Sequence, residues 1–432
     1  MGSSAWLRGT FAEQLDALAQ RFGDEAAEVR HELFFLQAGR GARAAGARAL
    51  AALVRDAWLL LWHAGPAPKP HDQRQAILLT TLAGASGWGT LQRALPTVVA
   101  SGYEPVLLAH PRLATGNLAP GLRTLRIARI GPRDWLSALS MFTRTLGQRR
   151  PLLLACCLAR RSLWTSSLRR TLSASRGVVV LHNDFDLMSR AAIGQGLPSI
   201  CVQHGVPTDE FFPISADWYL VWGRSSRQAF EANGSVPSRL IEDALGRGAI
   251  ATAPLQPPAG IALLSQTHAP ILGEGIGEAL RAVADALLHA APNARILLHP
   301  FEAQPYTGAA ALATRRPPHG ELQGSAAEPR LIVGYCSTAM LDAALAGHWV
   351  VALHLPLAGN LAARQALAAP LRAETAAQVV SLYQRLRDDP QFRHDQAQAQ
   401  AQWLSAHFAS DSSGLADLLH QLMPTAALEP AR

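Results

Sequence analysis

The sequence predicts an α/β protein: two Rossmann-like domains facing a cleft, with an N-terminal helical extension. Three observations carry that expectation. Short apolar runs alternate with helical patterns twice over, on either side of a Pro- and Ala-rich stretch, ATAPLQPPAG at 251–260. The runs are continuously apolar rather than alternating, as strands buried on both faces of a parallel sheet must be. Polar and titratable residues gather at their carboxyl ends, where open parallel sheets bind ligands. The expected divisions are a helical segment at 1–66, a first domain at 67–252, and a second at 253–432 that includes closing helices.

The elements follow in order. Residues 6–63 are helical by pattern, with Leu50, Leu53, Val54, Ala57, Trp58 and Leu61 on one face. GPAPKPHD at 65–72 then breaks the chain. AILLTTL at 76–82 is a buried-strand run; GASGWG at 84–89 and a helical pattern follow it. Strand, glycine-rich turn and helix open a Rossmann-like unit, although GASGWG matches neither GxGxxG nor a P-loop. EPVLLAH at 104–110 is a second strand and TLRIARI at 124–130 a third. After a basic helical stretch comes the segment 178–223, with strands VVVLH, PSICVQ and WYLVWG and a helix over 184–195. Beyond the linker, IALLSQ (261–266), ARILLHP (294–300), LIVGYC (331–336) and HWVVALHLP (348–356) read as strands with helices between them. Helices from 375 close the chain.

Composition narrows the class. A chain of 432 residues, 49% hydrophobic and 16% charged, is globular and large enough for more than one core. Its net charge of +7, nearly all arginine, suits an anionic partner. No acidic residue lies between Asp134 and Asp184, yet that stretch holds Arg144, Arg149, Arg150, Arg160, Arg161, Arg169, Arg170 and Arg176. The region 144–176 is either a solvated basic face or a surface that meets an anionic inner membrane. It contains no nucleic-acid-binding module, so nucleic acid is not an expected partner. Cys156, Cys157, Cys201 and Cys336 show no ligand spacing and read as core thiols of a reducing compartment. The sequence shows no signal-peptide pattern and no apolar run of ~20 residues. The expected location is cytoplasmic, peripheral on the membrane if the basic stretch docks there.

Two clusters carry chemistry in the first domain. The first strand of the central segment ends in His182, Asn183, Asp184 and Asp186; the second ends in Gln203, His204 and Gly205. His204, beside a tight Gly205–Pro207 turn, has the residue type of a base near neutral pH, or serves only as a strand-end histidine. Asp184 and Asp186 form a DxD. One is expected to cap the following helix; the other is a candidate base or the carboxylate that orients His204. Asp209 and Glu210 follow on the next loop. In the second domain, Ser337 and Thr338 stand at a strand-to-helix turn, which caps a helix and also suits a phosphate. His299 ends a strand before Pro300, which biases it to extended backbone.

These residues carry a resemblance. The two-domain pattern resembles GT-B glycosyltransferases. The QHG turn at 203–205, the His299–Pro300 pair and the Ser337–Thr338 turn are similar to features of bacterial enzymes that use cytidine-activated donors. The HP and Ser/Thr pairs resemble polysialyltransferases and the Kdo transferases of capsule and lipopolysaccharide synthesis. The HG turn with HP resembles CDP-glycerol glycerophosphotransferases. The likeness spans 178–353. It departs where VPTDE follows the HG turn in place of Thr-Pro-Leu-Lys, and HNDFD only approximates the acidic motif of the polysialyltransferases.

The resemblance implies an inverting, metal-independent glycosyltransferase of surface-polysaccharide assembly, with no cofactor beyond a nucleotide-sugar donor. The donor would be a CMP-linked Kdo- or sialic-acid-type sugar. His299, Pro300, Gly334, Ser337 and Thr338 would bind its nucleotide. His204 or Asp184 would be the base. Gln203, Gly205, Asp186 and Glu210 would line the cleft for a glycan or lipid-linked glycan acceptor. UDP-sugar transfer, CDP-polyol phosphate transfer and non-catalytic glycan binding or scaffolding are the alternatives.

Overall fold

The computed structural model describes residues 11–37, 40–114, 118–247, 256–267, 270–300, 302, 306–316, 322 and 328–423. Residues 6–10 of the expected helical stretch, and 251–255 of the expected linker with its 252/253 boundary, lie outside them. The helical extension comprises α1 (Phe11–Phe22), α2 (Asp24–Ala27), α3 (Arg30–Gln37) and α4 (Ala42–Trp62). The first sheet region runs β1 (Arg74–Thr80), α5 (Trp88–Ala100), β2 (Glu104–Ala109), β3 (Arg123–Thr124), α6 (Pro132–Gly147), α7 (Leu152–Leu172), β4 (Arg176–Leu181), α8 (Leu187–Ala192), β5 (Ser199–Val202), β6 (Trp218–Val221), α9 (Arg224–Ala232) and β7 (Leu240–Glu242). The second runs β8 (Ile261–Leu264), α10 (Ile276–Ala290), β9 (Arg295–Leu297), α11 (Gly308–Ala313), β10 (Thr314–Arg315), β11 (Leu331–Gly334), α12 (Thr338–Leu345), β12 (Trp349–Leu353), α13 (Leu361–Leu367) and β13 (Leu371–Ala373). Helices α14 (Ala376–Asp388), α15 (Pro390–His407) and α16 (Gly414–Gln421) follow.

Both sheets are parallel and wound in the same way. The seven-stranded sheet has the order β3-β2-β1-β4-β5-β6-β7, and the six-stranded sheet β10-β9-β8-β11-β12-β13. Each therefore reverses direction once, between β1 and β4 and between β8 and β11. Beyond the carboxyl ends of such a pair, the connections part and leave a crevice for ligands. Ile77 of β1 sits in register with Val106 on one side and Val179 on the other, all buried. Burial on both faces explains the continuous apolar runs.

The expected third strand, 124–130, is paired only at Arg123 and Thr124. Beyond that the chain leaves the sheet and ties to the end of α4: the Gly65 amide donates to the Ile127 carbonyl at 2.8 Å and the Ile130 amide to Leu60 at 3.3 Å. The expected helix at 184–195 shortens to α8. Strands β7, β10 and β13 were not legible because runs this short carry no periodicity. The closing helices also divide between the domains. Leu415, Leu418 and Leu419 of α16 pack with Leu91 and Val98 of α5 in the first domain. The Leu415 amide donates to Asp243 Oδ2 at 2.8 Å, and the Tyr103 hydroxyl to the Leu419 carbonyl at 3.1 Å.

The basic stretch is divided: Arg160 is buried, Arg150, Arg161 and Arg170 are half-buried, and Arg144, Arg149, Arg169 and Arg176 are exposed. Helix α7 is buried, and the acids that neutralise its arginines come mostly from the helical extension. Arg160 reaches Glu32 at 2.7 Å and Asp56 at 2.9 Å, and Arg161 reaches Glu28 at 3.1 Å. Arg144 meets Glu25 at 3.5 Å and Arg170 meets Asp134 at 2.6 Å. The gap in acidic residues along the sequence is thus closed in space for these four arginines. All four cysteines are buried and unpaired. Among the described residues no helix is long and apolar enough to cross a membrane.

Asp56 is buried and accepts from both the Arg160 guanidinium and Trp164 Nε1, the latter at 3.0 Å. Asp56→Ala leaves Arg160 paired with Glu32 but strips buried Trp164 Nε1 of its acceptor. It is expected to cost roughly 1–3 kcal/mol, read as a lower midpoint in chemical denaturation; a change below ~0.5 kcal/mol would mean that water replaces the lost acceptor.

Candidate active site

The site of the first domain forms at its switch point. Thr81, just beyond β1, faces the residues just beyond β4. Its hydroxyl donates to Asp186 Oδ2 at 2.7 Å, and Asn183 Nδ2 donates to the same oxygen at 2.8 Å. Asp186 Oδ1 accepts from the Ser189 amide at 2.8 Å, so Asp186 is the N-cap of α8. Burial alone would raise its pKa; the nearby His182, the Ser189 amide and the Thr81 and Asn183 donors outweigh that and hold it below the usual range. Asp184 points elsewhere. It is fully buried and accepts the amides of Ser215 and Ala216, which fixes the chain entering β6. Its pKa is raised by burial, against the pull of those two amides.

His204 lies just past β5. Its Nδ1 is 2.8 Å from the His182 carbonyl. A carbonyl can only accept, so Nδ1 carries the proton and Nε2 presents a lone pair. The ring stacks on Phe211, 4.9 Å between centroids at 19°. Burial, then the neighbouring His182, lower its pKa to about 4, and Glu210 offsets this only in part. His182 is itself buried and lowered; its Nε2 receives Asn183 Nδ2 at 2.8 Å. Gln203 is fully engaged. Its Nε2 donates to the Gly205 carbonyl and to Ser226 Oγ, and its Oε1 accepts the Trp222 amide, all within 2.9 Å. It holds the turn rather than presenting free groups.

The loop after His204 is clamped from two sides. From the helical extension, His31 Nε2 meets Glu210 at 3.3 Å. Burial alone would lower the His31 pKa, but the hydrogen bond and charge of Glu210 raise it. Glu210 in turn is held below the usual carboxylate range: burial is outweighed by His31, His204 and Thr208. Buried Arg30 donates to the Phe212 carbonyl. From the second domain, the Asn360 amide donates to Asp209 Oδ2 at 2.8 Å. Thr338 Oγ1 accepts the Val206 amide at 3.0 Å. A Cβ at Gly205 would stand 3.1 Å from that same Oγ1, so the turn approaches α12 closely because residue 205 has none.

The fold therefore brings two of the sequence-derived clusters together, the QHG turn and the Ser337–Thr338 turn. Ser337 N-caps α12, accepting the Ala339 amide at 3.3 Å. Gly334 ends β11; a Cβ there would meet Met340 Sδ at 2.8 Å, so strand and helix pack closely at this residue. His299 lies two residues past β9, and β8 stands between β9 and β11. It is half-buried, and burial lowers its pKa. Pro300 is exposed, and its carbonyl accepts Arg316 Nη1 at 2.8 Å. Glu302 nearby is buried, which pushes its carboxyl up to about 7.

Three further residues were not singled out from the sequence. His31 lies in a segment read only as helical. Gln266 stands just past β8, at the second switch point, and Asn360 at the N-cap of α13. Both are buried, and neither Gln266 Nε2 nor either side-chain atom of Asn360 has a hydrogen-bond partner among the described residues. Buried polar atoms of this kind call for a ligand or water. The signal for Gln266 was its position at a strand end; Asn360 offered only a helix-start residue. Among the described residues no group of three or more His, Cys, Asp or Glu could hold a metal ion.

The histidines set a pH dependence. His204 titrates at about 4 when folded and near ~6.5 when unfolded. The unfolded chain binds the extra proton across that window, so this contribution to stability is complete above ~6.5 and falls as pH drops toward 4. His31, raised by Glu210, acts oppositely: its contribution is present at low pH and is lost as pH rises through its folded value. His204→Asn keeps a donor for the His182 carbonyl but does not titrate. Its melting temperature is expected to fall less steeply than wild type between about pH 7 and 4; parallel curves would show that His204 is not held neutral.

No protein-family model matches the chain, and no curated protein matches it. Solved structures do. A variant of Os79 from O. sativa in complex with UDP is similar over 81% of this chain and 100% of its own, at 12% identity and TM-score 0.51. Os79 in complex with U2F and trichothecene gives the same coverage and TM-score at 13% identity. The glycotransferase of kitacinnamycin covers 83% of this chain and 100% of its own, at 15% identity and TM-score 0.46. With its two once-reversed parallel sheets facing a cleft, the chain has the GT-B fold.

Proposed function

We propose that this protein is a glycosyltransferase that moves a sugar from a nucleotide donor to a hydroxyl of a glycan acceptor, with inversion and without a metal ion. The observation that carries the reading is His204, a neutral imidazole with Nδ1 committed to the His182 carbonyl and Nε2 open, on the turn that touches Thr338. Nε2 takes the acceptor proton as the acceptor oxygen attacks the anomeric carbon. The bond from that carbon to the donor phosphate breaks, and the nucleotide leaves with the electron pair. Stacking on Phe211 holds the ring in place. Asp184, spent on two backbone amides, acts in this reading as a positioning residue. Asp186 and Glu210 orient and tune the cleft.

The donor nucleotide belongs to the second crevice. The N-terminus of α12 suits its phosphate. The Thr338 hydroxyl accepts from Val206 and still has its own proton to donate, so it can serve the turn and a phosphate together. Gln266, Asn360 and His299 supply further polar groups. Hydrogen bonds to the leaving phosphate supply the charge stabilisation. The HP and Ser/Thr pairs favour a CMP-linked Kdo- or sialic-type sugar and a surface-polysaccharide or lipopolysaccharide acceptor. Os79 in complex with UDP favours a second reading, a UDP-sugar donor.

A thermal-shift panel of CMP, CDP, UMP, UDP, GDP and ADP separates these. A stabilisation by CMP alone, lost in His299→Ala and Asn360→Ala, is expected; a response to UDP alone would select the second reading, and none at all would count against donor binding. With the responding donor, His204→Asn is expected to lose ~10²–10⁴ in kcat while keeping the nucleotide shift. The acid limb of kcat/KM is expected near pH 4, and EDTA is expected to leave the rate unchanged. An unaltered kcat in His204→Asn would remove His204 as the base.

A further inference from the structure

The outer face of the helical extension is apolar where a solvated helix would be polar. On α4, Leu50, Val54, Trp58 and Trp62 recur every fourth residue and are 43%, 62%, 56% and 66% exposed. The Trp58 and Trp62 rings lie 5.3 Å apart. The first turns of α6 expose Trp135, Leu136 and Leu139. Both helices pack on α7, and the chain entering α6 reaches the last turn of α4, where the Ile130 amide donates to the Leu60 carbonyl. Scattered surface leucines are ordinary, whereas a patch with three tryptophans marks an interaction site.

The charge around the patch has one sign. Arg126, Arg129 and Arg133 are exposed along the chain into α6, and Arg55 is exposed on α4. The acids of these two helices, Asp56 and Asp134, are both buried. Tryptophan and leucine framed by arginine, with no exposed acid on either helix and no helix among the described residues able to span, is the composition of a surface that lies in a lipid headgroup layer. We propose that the α4–α6 face docks on an anionic bilayer, with Trp58, Trp62, Trp135 and Leu136 among the headgroups and Arg126, Arg129 and Arg133 against lipid phosphates. This places the membrane contact beside the 144–176 stretch, whose Arg160, Arg161 and Arg170 are engaged in ion pairs. The docking rests on α4 and α6 alone and stands apart from the transferase reading.

Co-sedimentation of the full chain with vesicles tests it. Binding is expected with vesicles containing a third phosphatidylglycerol, accompanied by a blue shift of tryptophan emission, and is expected to be weak with phosphatidylcholine alone. Trp58→Ser with Trp62→Ser, and separately Arg129→Glu with Arg133→Glu, are each expected to weaken binding at least about tenfold. The arginine pair lies on the surface, so it keeps the proposal testable if the tryptophan variant fails to fold. Equal binding to both vesicle types, or variants that bind as wild type, would overturn the proposal. So would absent vesicle binding together with a dimer in sedimentation velocity that Trp58→Ser/Trp62→Ser abolishes, which would assign the face to a second copy.

Discussion

The hydrogen bond from His204 Nδ1 to the His182 carbonyl joins two strand ends and fixes the orientation of the imidazole between them. It selects the tautomer, and so leaves Nε2 as the acceptor. It exists because β4 and β5 are adjacent, which places the residue after one strand against the residue after the other. Phe211 covers the ring face, and burial keeps it neutral. The half-buried Glu210 nearby favours the charged form of the ring and offsets part of that effect.

Around that bond the structure spends polar residues on position. Gln203 satisfies three groups, Asp184 holds the entry to β6, and Asp186 caps α8 while collecting Thr81 and Asn183. The helical extension belongs to this system. His31 and Arg30 tie it to the loop at 208–212, so a segment that resembles an appendage in the sequence forms one wall of the site. The same extension supplies Glu28, Glu32 and Asp56 to the arginines of α7. Its outer face is left with tryptophan and arginine.

The second domain reaches the same turn. Thr338 receives Val206, and the Asn360 backbone meets Asp209. Arg247 pairs with Asp342 and lies over the Trp222 ring, 4.3 Å from its centroid, which adds a charged and aromatic contact between the domains. Gln266 and Asn360, whose side-chain atoms lack partners among the described residues, belong to this domain.

By itself the sequence determined the fold and the reactive strand ends. Short continuous apolar runs bounded by turn residues and alternating with helical patterns fit buried parallel strands, and residues such as His182, His204 and Ser337 come at the ends of such runs, so their place beyond the sheet was legible. It also marked the small-residue turns whose close approach the fold uses. Tertiary structure alone decided which of those residues meet. His204 and Thr338 are far apart in the chain and come together only through domain contact, whereas β8 separates His299 from β11. The division between Asp184 and Asp186 depended on which backbone amides each carboxylate meets. The ion pairs of Arg160 and Arg161 were beyond the sequence for the same reason: charge counted along the chain ignores the acids that another helix brings to it, and Coulomb attraction acts through space.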